Sequence, residues 1–360
     1  MKTNTYIKRR EGIGSSFHKE DLMDLDVVDL NFDYEIFYSG RHAFKCILDE
    51  IHKENNVEKV WMPEYYCQNA MNDWIKNGYD NIHFYKTKPF NFDEPLLINN
   101  FANKNDVVLL NNYWGLSSYI KKEKHSPIII EDHSHGWLTE RCLNSQADYC
   151  FASLRKSLPI PLGGIYWKPN SKLSIDTKNF VEDNAFYNAW DIAYKAMNDK
   201  KRYKEHDQKL NKQNYLDGVN TVELFLDEHY EIVKLRNSDQ AYIKKFVNYN
   251  VLDKKRVNLN HINASIIDFK DMKIIKRQNH TAFGLILLFK DEELCNALRA
   301  HLIKNEIYPS VLWPNNKLAN KWKFSINIHV DFRYNINDMN YIKNTINNWI
   351  STKKVKNIEF

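Results

Sequence analysis

The chain has 360 residues, of which 43% are hydrophobic and 14% aromatic, so it can bury a substantial core. Its 51 Lys and Arg residues stand against 46 Asp and Glu residues, and the basic residues are spread along the chain, which argues against nucleic-acid binding. No apolar run approaches the roughly 20 residues of a membrane span, and the first residues lack the apolar region of a signal peptide. We therefore expect a soluble cytoplasmic protein that binds neither nucleic acid nor membrane.

The cysteines indicate neither a metal centre nor a disulfide framework. Their number is odd, and no two of them have the CxxC spacing of a zinc or redox site. They are Cys46, Cys67, Cys142, Cys150 and Cys295. We expect reduced thiols and no metal.

The first half of the chain alternates short apolar segments with longer amphipathic ones. An extended segment at 34–40 leads into 41–55, where Ala43, Phe44 and Ile47 begin a helical spacing of apolar residues. A second helix is predicted at 65–79, ended by Gly78. Strands are predicted at 57–63, 81–87, 106–115, 126–137 and 147–152. Continuous apolar runs in these strands are typical of a parallel sheet covered on both faces, so we predict an α/β domain.

The second half has a different texture. Residues 176–250 are polar and aromatic with helical periodicity, which predicts helices that link two lobes. Beyond Arg256, β-type segments at 264–269, 282–289 and 323–330 surround helices at 291–306 and 336–350. We predict a large α/β domain over 1–240, including the N-terminal segment and the linking helices, and a small α+β domain over 241–360.

The carboxyl ends of the predicted strands carry residues suited to a ligand, as in other open α/β sheets. Ser39 and Gly40 begin a helix, where backbone N–H groups favour a phosphate, although a simple helix cap has the same sequence. Asp132 follows three isoleucines and a glutamate at the end of another strand. A carboxylate placed there needs a cationic partner, unless it only caps the following turn.

The stretch "ASLRKSLPIPLGG", residues 152–164, places a lysine among apolar residues and prolines. Lys156 on such a stiffened turn could serve as a Schiff-base nucleophile, with Ser153 binding an anion beside it. Gly163 and Gly164 would let the chain fold tightly behind the lysine. A phosphate cradle, a carboxylate and an imine-forming lysine are the three parts of a pyridoxal phosphate (PLP) site.

Several segments in the right order carry a family resemblance: "FYSGRHAF", "VWMPEYYCQNAM", "IIIEDHSH", "ADYCFASLRKSLPIPLGG" and "FSINIHVDFRYNINDM". The chain resembles the DegT/DnrJ/EryC1/StrS aminotransferases, which have the aspartate aminotransferase fold, or fold type I. The resemblance implies a PLP-binding large domain, with a mostly parallel sheet between helices, and a smaller C-terminal α+β domain. It also implies a homodimer.

The same resemblance assigns roles around the cofactor ring. Lys156 would form the Schiff base and then carry a proton between the substrate carbon and the cofactor. Asp132 would pair with the protonated ring nitrogen, and His135 would hydrogen-bond the phenolic oxygen. Tyr66 would stack on the ring, since Cys67 stands where many members have the stacking residue, but core packing of Tyr66 stays open.

For the cofactor phosphate, the resemblance implies backbone N–H groups of Gly40, Arg41 and His42, with the Ser153 hydroxyl. Arg41 departs from the family's threonine, and its guanidinium could contact the phosphate directly. The family segment that lends an asparagine to the neighbouring subunit is not recognisable in this chain.

Two residues are left with two interpretations each. Trp114 matches an aromatic-glycine turn near the cofactor, although it could equally be a core residue. Arg333 lies where a small-domain arginine could bind a substrate carboxylate or phosphate, and a structural salt bridge is the alternative.

The resemblance implies a transaminase that moves an amino group from a donor such as glutamate to a keto acceptor. The acceptor implied is a nucleotide-linked keto-sugar used in surface polysaccharide biosynthesis. Nothing in the residues themselves identifies a sugar, so a non-sugar keto substrate stays open. A non-catalytic relative that binds the cofactor or a partner is the second alternative.

Overall fold

A computed structural model describes residues 12–356, apart from 15, 21–24, 68, 72–73, 75–79, 93, 95, 119–125, 174, 176–179, 206–209 and 314–315. Within these ranges the strands form a seven-stranded sheet, a four-stranded sheet and a two-stranded pair. Most of the helix predicted at 65–79, with Gly78, lies outside the described residues. Nowhere in the described ranges is there a helix with the length and apolar character that crossing a membrane requires.

The larger sheet positions the candidate site. Its strands are β2 (Tyr34–Phe37), β3 (Val60–Pro63), β4 (Ile82–Tyr85), β5 (Val107–Asn111), β6 (Ile128–Asp132), β7 (Tyr149–Ser153) and β8 (Gly164–Trp167). They are ordered β2-β8-β7-β6-β5-β3-β4, and all pairs from β7 to β4 are parallel. β8 and β2 add antiparallel at one edge. The predicted α/β fold with a mostly parallel sheet is confirmed.

The helices run along the sheets and between them. They are α1 (Gly40–Glu54), α2 (Glu140–Leu143), α3 (Asn184–Lys204), α4 (Lys212–Glu228), α5 (Asn237–Lys244), α6 (Leu252–Asn263), α7 (Glu292–Lys304) and α8 (Ile336–Lys356). α1 begins where Ser39 caps it, because the Ser39 side chain accepts a hydrogen bond from the His42 backbone N–H. Its apolar stripe, which includes Phe44 and Ile47, is completely buried and fastens α1 to the sheet.

The smaller sheet belongs to the second half of the chain. Its strands are β9 (Met272–Ile275), β10 (Leu285–Phe289), β12 (Ser310–Val311) and β13 (Phe324–Ile328), all antiparallel in the order β12-β13-β10-β9. The strand predicted at 264–269 is wrong, because α6 runs to Asn263 and Ala264 ends it, so that the chain reaches the sheet only at Met272. β1 (Ile13–Gly14) pairs in parallel with β11 (Ile307–Tyr308), which ties the N-terminal segment to this half.

Three apolar clusters accompany the two sheets among the described residues. One packs the larger sheet with α3 and reaches Leu252, a second packs α1 against the larger sheet, and the third surrounds the smaller sheet with most of the buried apolar residues from Leu259 onward. Phe332 is an exception, since it packs in the first cluster. Trp114, from the first half of the chain, joins the core of the smaller sheet. The two halves therefore share an apolar contact at the carboxyl ends of the large sheet, and the predicted domain boundary at 240/241 stays a prediction.

Candidate active site

Lys156 lies just beyond the carboxyl end of β7, at the end of a 3-10 helix formed by Leu154–Lys156. A hydrogen bond of 2.9 Å from Leu154 N to Gly163 O closes the loop behind it. The Lys156 side chain is half-buried and lines a cavity of about 380 Å³, a volume suited to a small ligand. In the described part of the chain, no hydrogen bond or ion pair engages its amine. Lys156 thus presents an uncommitted amine to a ligand-sized space.

The two glycines after the lysine differ in what surrounds them. A Cβ on Gly164 would lie 2.1 Å from the carbonyl oxygen of Ser39, so only glycine lets these backbones approach. A Cβ on Gly40 would in turn lie 3.0 Å from the Ser153 Cβ. A Cβ on Gly163 would meet only a side-chain end at its closest, the Cδ1 of Ile160 at 2.6 Å. Gly164 therefore brings the start of α1 against the end of β7.

The side chains at the start of α1 face away from the cavity. His42 is buried, its Nδ1 lies 2.8 Å from the Ser39 hydroxyl and its Nε2 lies 3.2 Å from the His229 carbonyl. Burial lowers the pKa of His42 to about 4, so the imidazole is neutral near pH 7. Arg41 forms an ion pair with Asp227 of α4, at 2.6 Å. What α1 offers an anion is therefore its backbone N–H groups and positive dipole end.

Asp132 ends β6 and is buried, with both carboxylate oxygens in hydrogen bonds. Oδ1 accepts from the backbone N–H of Ser134 at 2.7 Å, and Oδ2 accepts from the hydroxyl of Tyr66. Both donors are neutral, and no cation forms a salt bridge with Asp132 within the described residues. The sequence left Tyr66 between ring stacking and core packing, and in the structure its hydroxyl contacts Asp132. Burial, followed by the nearby Asp132 charge, raises the pKa of Tyr66 well above its ordinary value.

His135 lies in the turn after β6 and borders the same cavity as Lys156. Its ring makes stacked contacts with Trp114, at 5.2 Å between centroids, and with Trp313, at 5.5 Å, and a tilted contact with Phe283, at 4.5 Å. Burial, and then the Lys156 charge, lower the pKa of His135 well below its ordinary value. Its Nδ1 is buried without a hydrogen-bond partner in the described part of the protein. A neutral imidazole with one unused ring nitrogen therefore faces the cavity.

Sequence reasoning did not single out Trp313 and Phe283, although both line the cavity. Trp313 has a left-handed backbone (φ 43°), which is uncommon for a bulky residue and is often found at functional sites. Neither residue stands in a local motif, and both meet His135 through a contact that spans the two sheets. A pattern search along the chain has no signal for such a pair.

Other cavity residues are already engaged. Arg155 makes a two-pronged ion pair with Glu223 of α4. His329, from the strand end after β13, is buried, and burial lowers its pKa to about 3. Among the described Lys and Arg side chains that line the cavity, Lys156 is the one that forms no ion pair or hydrogen bond with a described residue, and its charge acts on Glu223 only from a distance.

Arg333 does not line this cavity among its described residues. Its guanidinium binds Asp331 at 2.8 Å and donates to the carbonyls of Ser16, at 2.8 Å, and Gly14, at 2.9 Å. The guanidinium also lies 4.0 Å from the ring of Phe17. The structure thus gives Arg333 the structural ion pair that the sequence left as an alternative to substrate binding.

A second polar cluster, Glu131, His133 and Cys150, is buried behind the sheet with ligand atoms within 4.8 Å of one another. Arg141 already pairs with Glu131 at 2.7 Å, and the Ser145 hydroxyl donates to the same carboxylate at 2.8 Å. Burial raises the pKa of Cys150 well above its ordinary value, so the thiol stays protonated. The carboxylate is thus already paired with a cation and hydrogen-bonded, and the thiol is protonated. The cluster is therefore a hydrogen-bonded ion-pair network and not a set of metal ligands.

Comparison with known proteins relates the chain to others through structure alone. No protein-family model and no curated protein sequence matches it. A solved structure of Spr1654 from Streptococcus pneumoniae in its PLP-form, named as a sugar aminotransferase, is similar with a TM-score of 0.58. The two are 12% identical, and the match covers 95% of this chain and 99% of that chain.

Two further solved structures are similar over most of their length. Helicobacter pylori PseC, an aminotransferase involved in the biosynthesis of pseudoaminic acid, is 11% identical, with a TM-score of 0.56 over 95% of this chain and 100% of that chain. DesV of S. venezuelae is 10% identical, with a TM-score of 0.52 over 89% of this chain and 86% of that chain. At these identities the likeness concerns the fold. The prediction of fold type I is confirmed: the chain has the fold of these aminotransferases.

Proposed function

We propose that the chain is a PLP-dependent aminotransferase that moves an amino group from a donor such as glutamate to a keto acceptor. The observation that carries the proposal is the amine of Lys156, which has no hydrogen bond or ion pair among the described residues and lines a cavity together with a neutral, partly unsatisfied His135. Imine chemistry needs an amine that is free to react and a site that excludes most water.

The described residues fit the cofactor. The buried Nδ1 of His135 lacks a partner, as expected of a group that meets a phenolic oxygen. The buried Asp132 has no cationic partner within the described residues, as expected of a group that meets a protonated ring nitrogen. The close approach of Gly40 to Ser153 sets the N–H end of α1 beside a hydroxyl, as expected of a phosphate cradle.

When bound, PLP supplies an aldehyde for imine exchange and an electron-poor ring that accepts negative charge from the substrate carbon. The chain supplies the proton transfers and the electrostatics. Lys156 would hold the cofactor through Nζ, and the same Nζ, once free, would take the proton from the substrate carbon. Its half-buried position next to the cavity keeps that amine within reach of both steps.

Asp132 and His135 would hold the cofactor ring in the protonation state that this chemistry requires. The Asp132 carboxylate, buried at the end of β6, favours a protonated nitrogen within its reach. His135 has a lowered pKa, so it stays neutral and can donate or accept one hydrogen bond through Nδ1. At the other end, Gly40, Arg41 and His42 offer backbone N–H groups and Ser153 its hydroxyl to the phosphate.

The acceptor that we propose is a nucleotide-linked keto-sugar for surface polysaccharide biosynthesis. Its support is that one protein of similar fold is named as a sugar aminotransferase and another as an aminotransferase involved in the biosynthesis of pseudoaminic acid. We also propose that Arg333 serves the substrate only indirectly, by holding the N-terminal segment at the cavity, since Ser16 and Phe17 line it. A cytoplasmic homodimer is part of the same proposal.

The test is the absorption spectrum of the purified protein with PLP, before and after borohydride, with peptide mapping of the reduced adduct. We expect an imine band that glutamate bleaches, and a label on Lys156 that Lys156→Ala abolishes. Lys200 and Lys255 are the matched controls, because burial lowers their pKa values to about 7 and about 8 and makes them nucleophilic amines that lie near the cavity without being among its described lining residues. Lys200→Arg and Lys255→Arg should keep both the band and the Lys156 label.

Two outcomes would favour a different function. A band with no response to any amino donor would favour the non-catalytic relative. A label on Lys200 or Lys255 instead of Lys156 would remove the basis of the proposal. If the donor reaction occurs, screening keto-sugars against simple keto acids then distinguishes the sugar acceptor from a non-sugar substrate.

A further inference from the structure

Each oxygen of the Asp132 carboxylate accepts a hydrogen bond from a neutral donor in the protein alone. Oδ1 accepts from the Ser134 backbone N–H at 2.7 Å, and Oδ2 accepts from the Tyr66 hydroxyl. Asp132 is 5% exposed and Tyr66 is 4% exposed, so water contributes little to either group. A buried carboxylate without hydrogen-bond donors is strongly unfavourable, and the Tyr66 hydroxyl removes much of that cost.

The Tyr66 hydroxyl donates to Oδ2 of Asp132, and this is the hydrogen bond that a protonated ring nitrogen would replace. A phenol hydroxyl and a pyridinium N–H are both planar aromatic groups that present one in-plane donor. Tyr66 remains a donor near neutral pH, because burial and the Asp132 charge both raise its pKa well above its ordinary value. Tyr66 therefore resembles the cofactor ring in the hydrogen bond that it donates to Oδ2 of Asp132.

The turn that carries Tyr66 already faces the site. Tyr66 stands three residues after Pro63, the end of β3, and the next residue, Cys67, lines the cavity with Lys156. The Tyr66 ring meets Trp74 and Trp313 only in tilted contacts, each 5.9 Å between centroids. Its hydrogen bond to Asp132 is thus the polar contact that sets where the hydroxyl lies.

We propose that Tyr66 is a placeholder for the cofactor ring: its hydroxyl stabilises Asp132 before PLP arrives and yields that carboxylate oxygen when PLP binds. This inference rests on the proposed function. The exchange is noncovalent, with one O–H···O hydrogen bond lost and one N–H···O hydrogen bond gained. It makes Tyr66 a residue that stabilises the free protein and weakens cofactor binding.

The test compares PLP dissociation constants, measured by equilibrium dialysis, with the melting temperatures of free and loaded protein. Tyr66→Phe removes the hydroxyl but keeps the ring. We expect it to bind PLP about tenfold more tightly, since a hydrogen bond to a charged group is then absent from the free protein only. We also expect a lower melting temperature for the free protein, with little change for the loaded one.

Two controls isolate the contact. Tyr85→Phe removes another buried hydroxyl, which donates to the Leu109 carbonyl at 2.7 Å away from Asp132, and should leave the dissociation constant unchanged. In an Asp132→Asn background, Tyr66→Phe should change the PLP dissociation constant by less than about threefold, because the charged acceptor is gone. Tyr66→Met, with an adaptable side chain, repeats the test if the phenylalanine variant does not fold.

Weaker or unchanged PLP binding by Tyr66→Phe would overturn the inference and make Tyr66 a positioning residue for Asp132 or a plain core residue. The inference would also be overturned if Tyr66→Phe tightened PLP binding by the same factor in the Asp132→Asn background as in the wild type. If the wild type, Tyr66→Phe and Tyr85→Phe all fail to bind PLP, the proposed function fails and this inference fails with it. Failure of the inference alone is recognised because PLP still binds all three proteins.

Discussion

A Cβ atom on Gly164 would lie 2.1 Å from the carbonyl oxygen of Ser39. This close approach seats the first residue of α1 against the end of β7 and so sets the distance between Ser153 and the helix N-terminus. The contact joins two segments more than a hundred residues apart in the sequence.

Gly164→Ala should therefore destabilise the protein by about 3 kcal/mol, because backbone atoms on both sides must move apart. Gly163→Ala is the matched control, since its new methyl would meet only the end of the Ile160 side chain at that distance. We expect Gly163→Ala to lower the free energy of unfolding by about 1 kcal/mol. Urea denaturation monitored by circular dichroism measures both variants, and equal losses would contradict this account of the close approach.

Arg333→Met should destabilise the protein by about 3–5 kcal/mol, because it leaves the buried Asp331 carboxylate without its cation. Burial alone would raise the pKa of Asp331, but the Arg333 charge and hydrogen bonds hold it below its ordinary value. A lowered folded-state pKa stabilises the protein above the unfolded-state pKa of about 3.9, and that stability is lost as the pH falls. The variant should thus unfold at a higher pH on acidification.

Asp331→Asn with Arg333→Met provides the comparison for that variant, since the double change removes the uncompensated charge and should recover part of the stability. A stable Arg333→Met protein that has lost only its affinity for the amino donor would instead support direct substrate binding by Arg333.

His42→Gln should flatten the pH dependence of stability between about pH 6.5 and pH 4 in the cofactor-free protein. Burial lowers the folded-state pKa of His42 to about 4, against about 6.5 when unfolded. In that window the unfolded chain binds one more proton, so stability rises with pH by about 1.4 kcal/mol per unit. Urea unfolding at several pH values measures this slope, and an unchanged slope in the variant would contradict a buried neutral His42.

Arg141→Met should destabilise the protein by about 3 kcal/mol or more, because Glu131 loses the cation that offsets its burial. Metal chelation should leave the melting temperature unchanged, since Arg141 and Ser145 already satisfy the carboxylate of Glu131 in the cluster with His133 and Cys150. Thermal unfolding with and without EDTA tests the second point. A fall in melting temperature on chelation, reversed by zinc, would show that Glu131, His133 and Cys150 hold a metal after all.

Sequence periodicity predicted best those helices and strands whose conformation is determined by residues close together in the sequence. The α1 stripe and the apolar runs of β5 and β6 are repeated over several residues, so each residue supports the same assignment. The segment 264–269 failed because its few apolar residues follow directly on α6, and the helix, with its longer pattern, extends to Asn263. Short apolar runs fit either structure until packing selects one.

The sequence by itself predicted most of the strands and helices in their order along the chain, and it placed Asp132 at the end of one strand and Ser153 and Lys156 after another. Turn residues and hydrophobic spacing act over a few residues, so a linear pattern contains that information. Only the tertiary structure decided that the Tyr66 hydroxyl meets Asp132, that Trp313 covers His135 and that Arg333 pairs with Asp331 rather than lining the cavity. The contacts of Tyr66 and Trp313 join distant parts of the chain. All three contacts depend on which buried groups the folded chain brings together. Close packing and the cost of unsatisfied polar groups settle such choices only once the chain has folded.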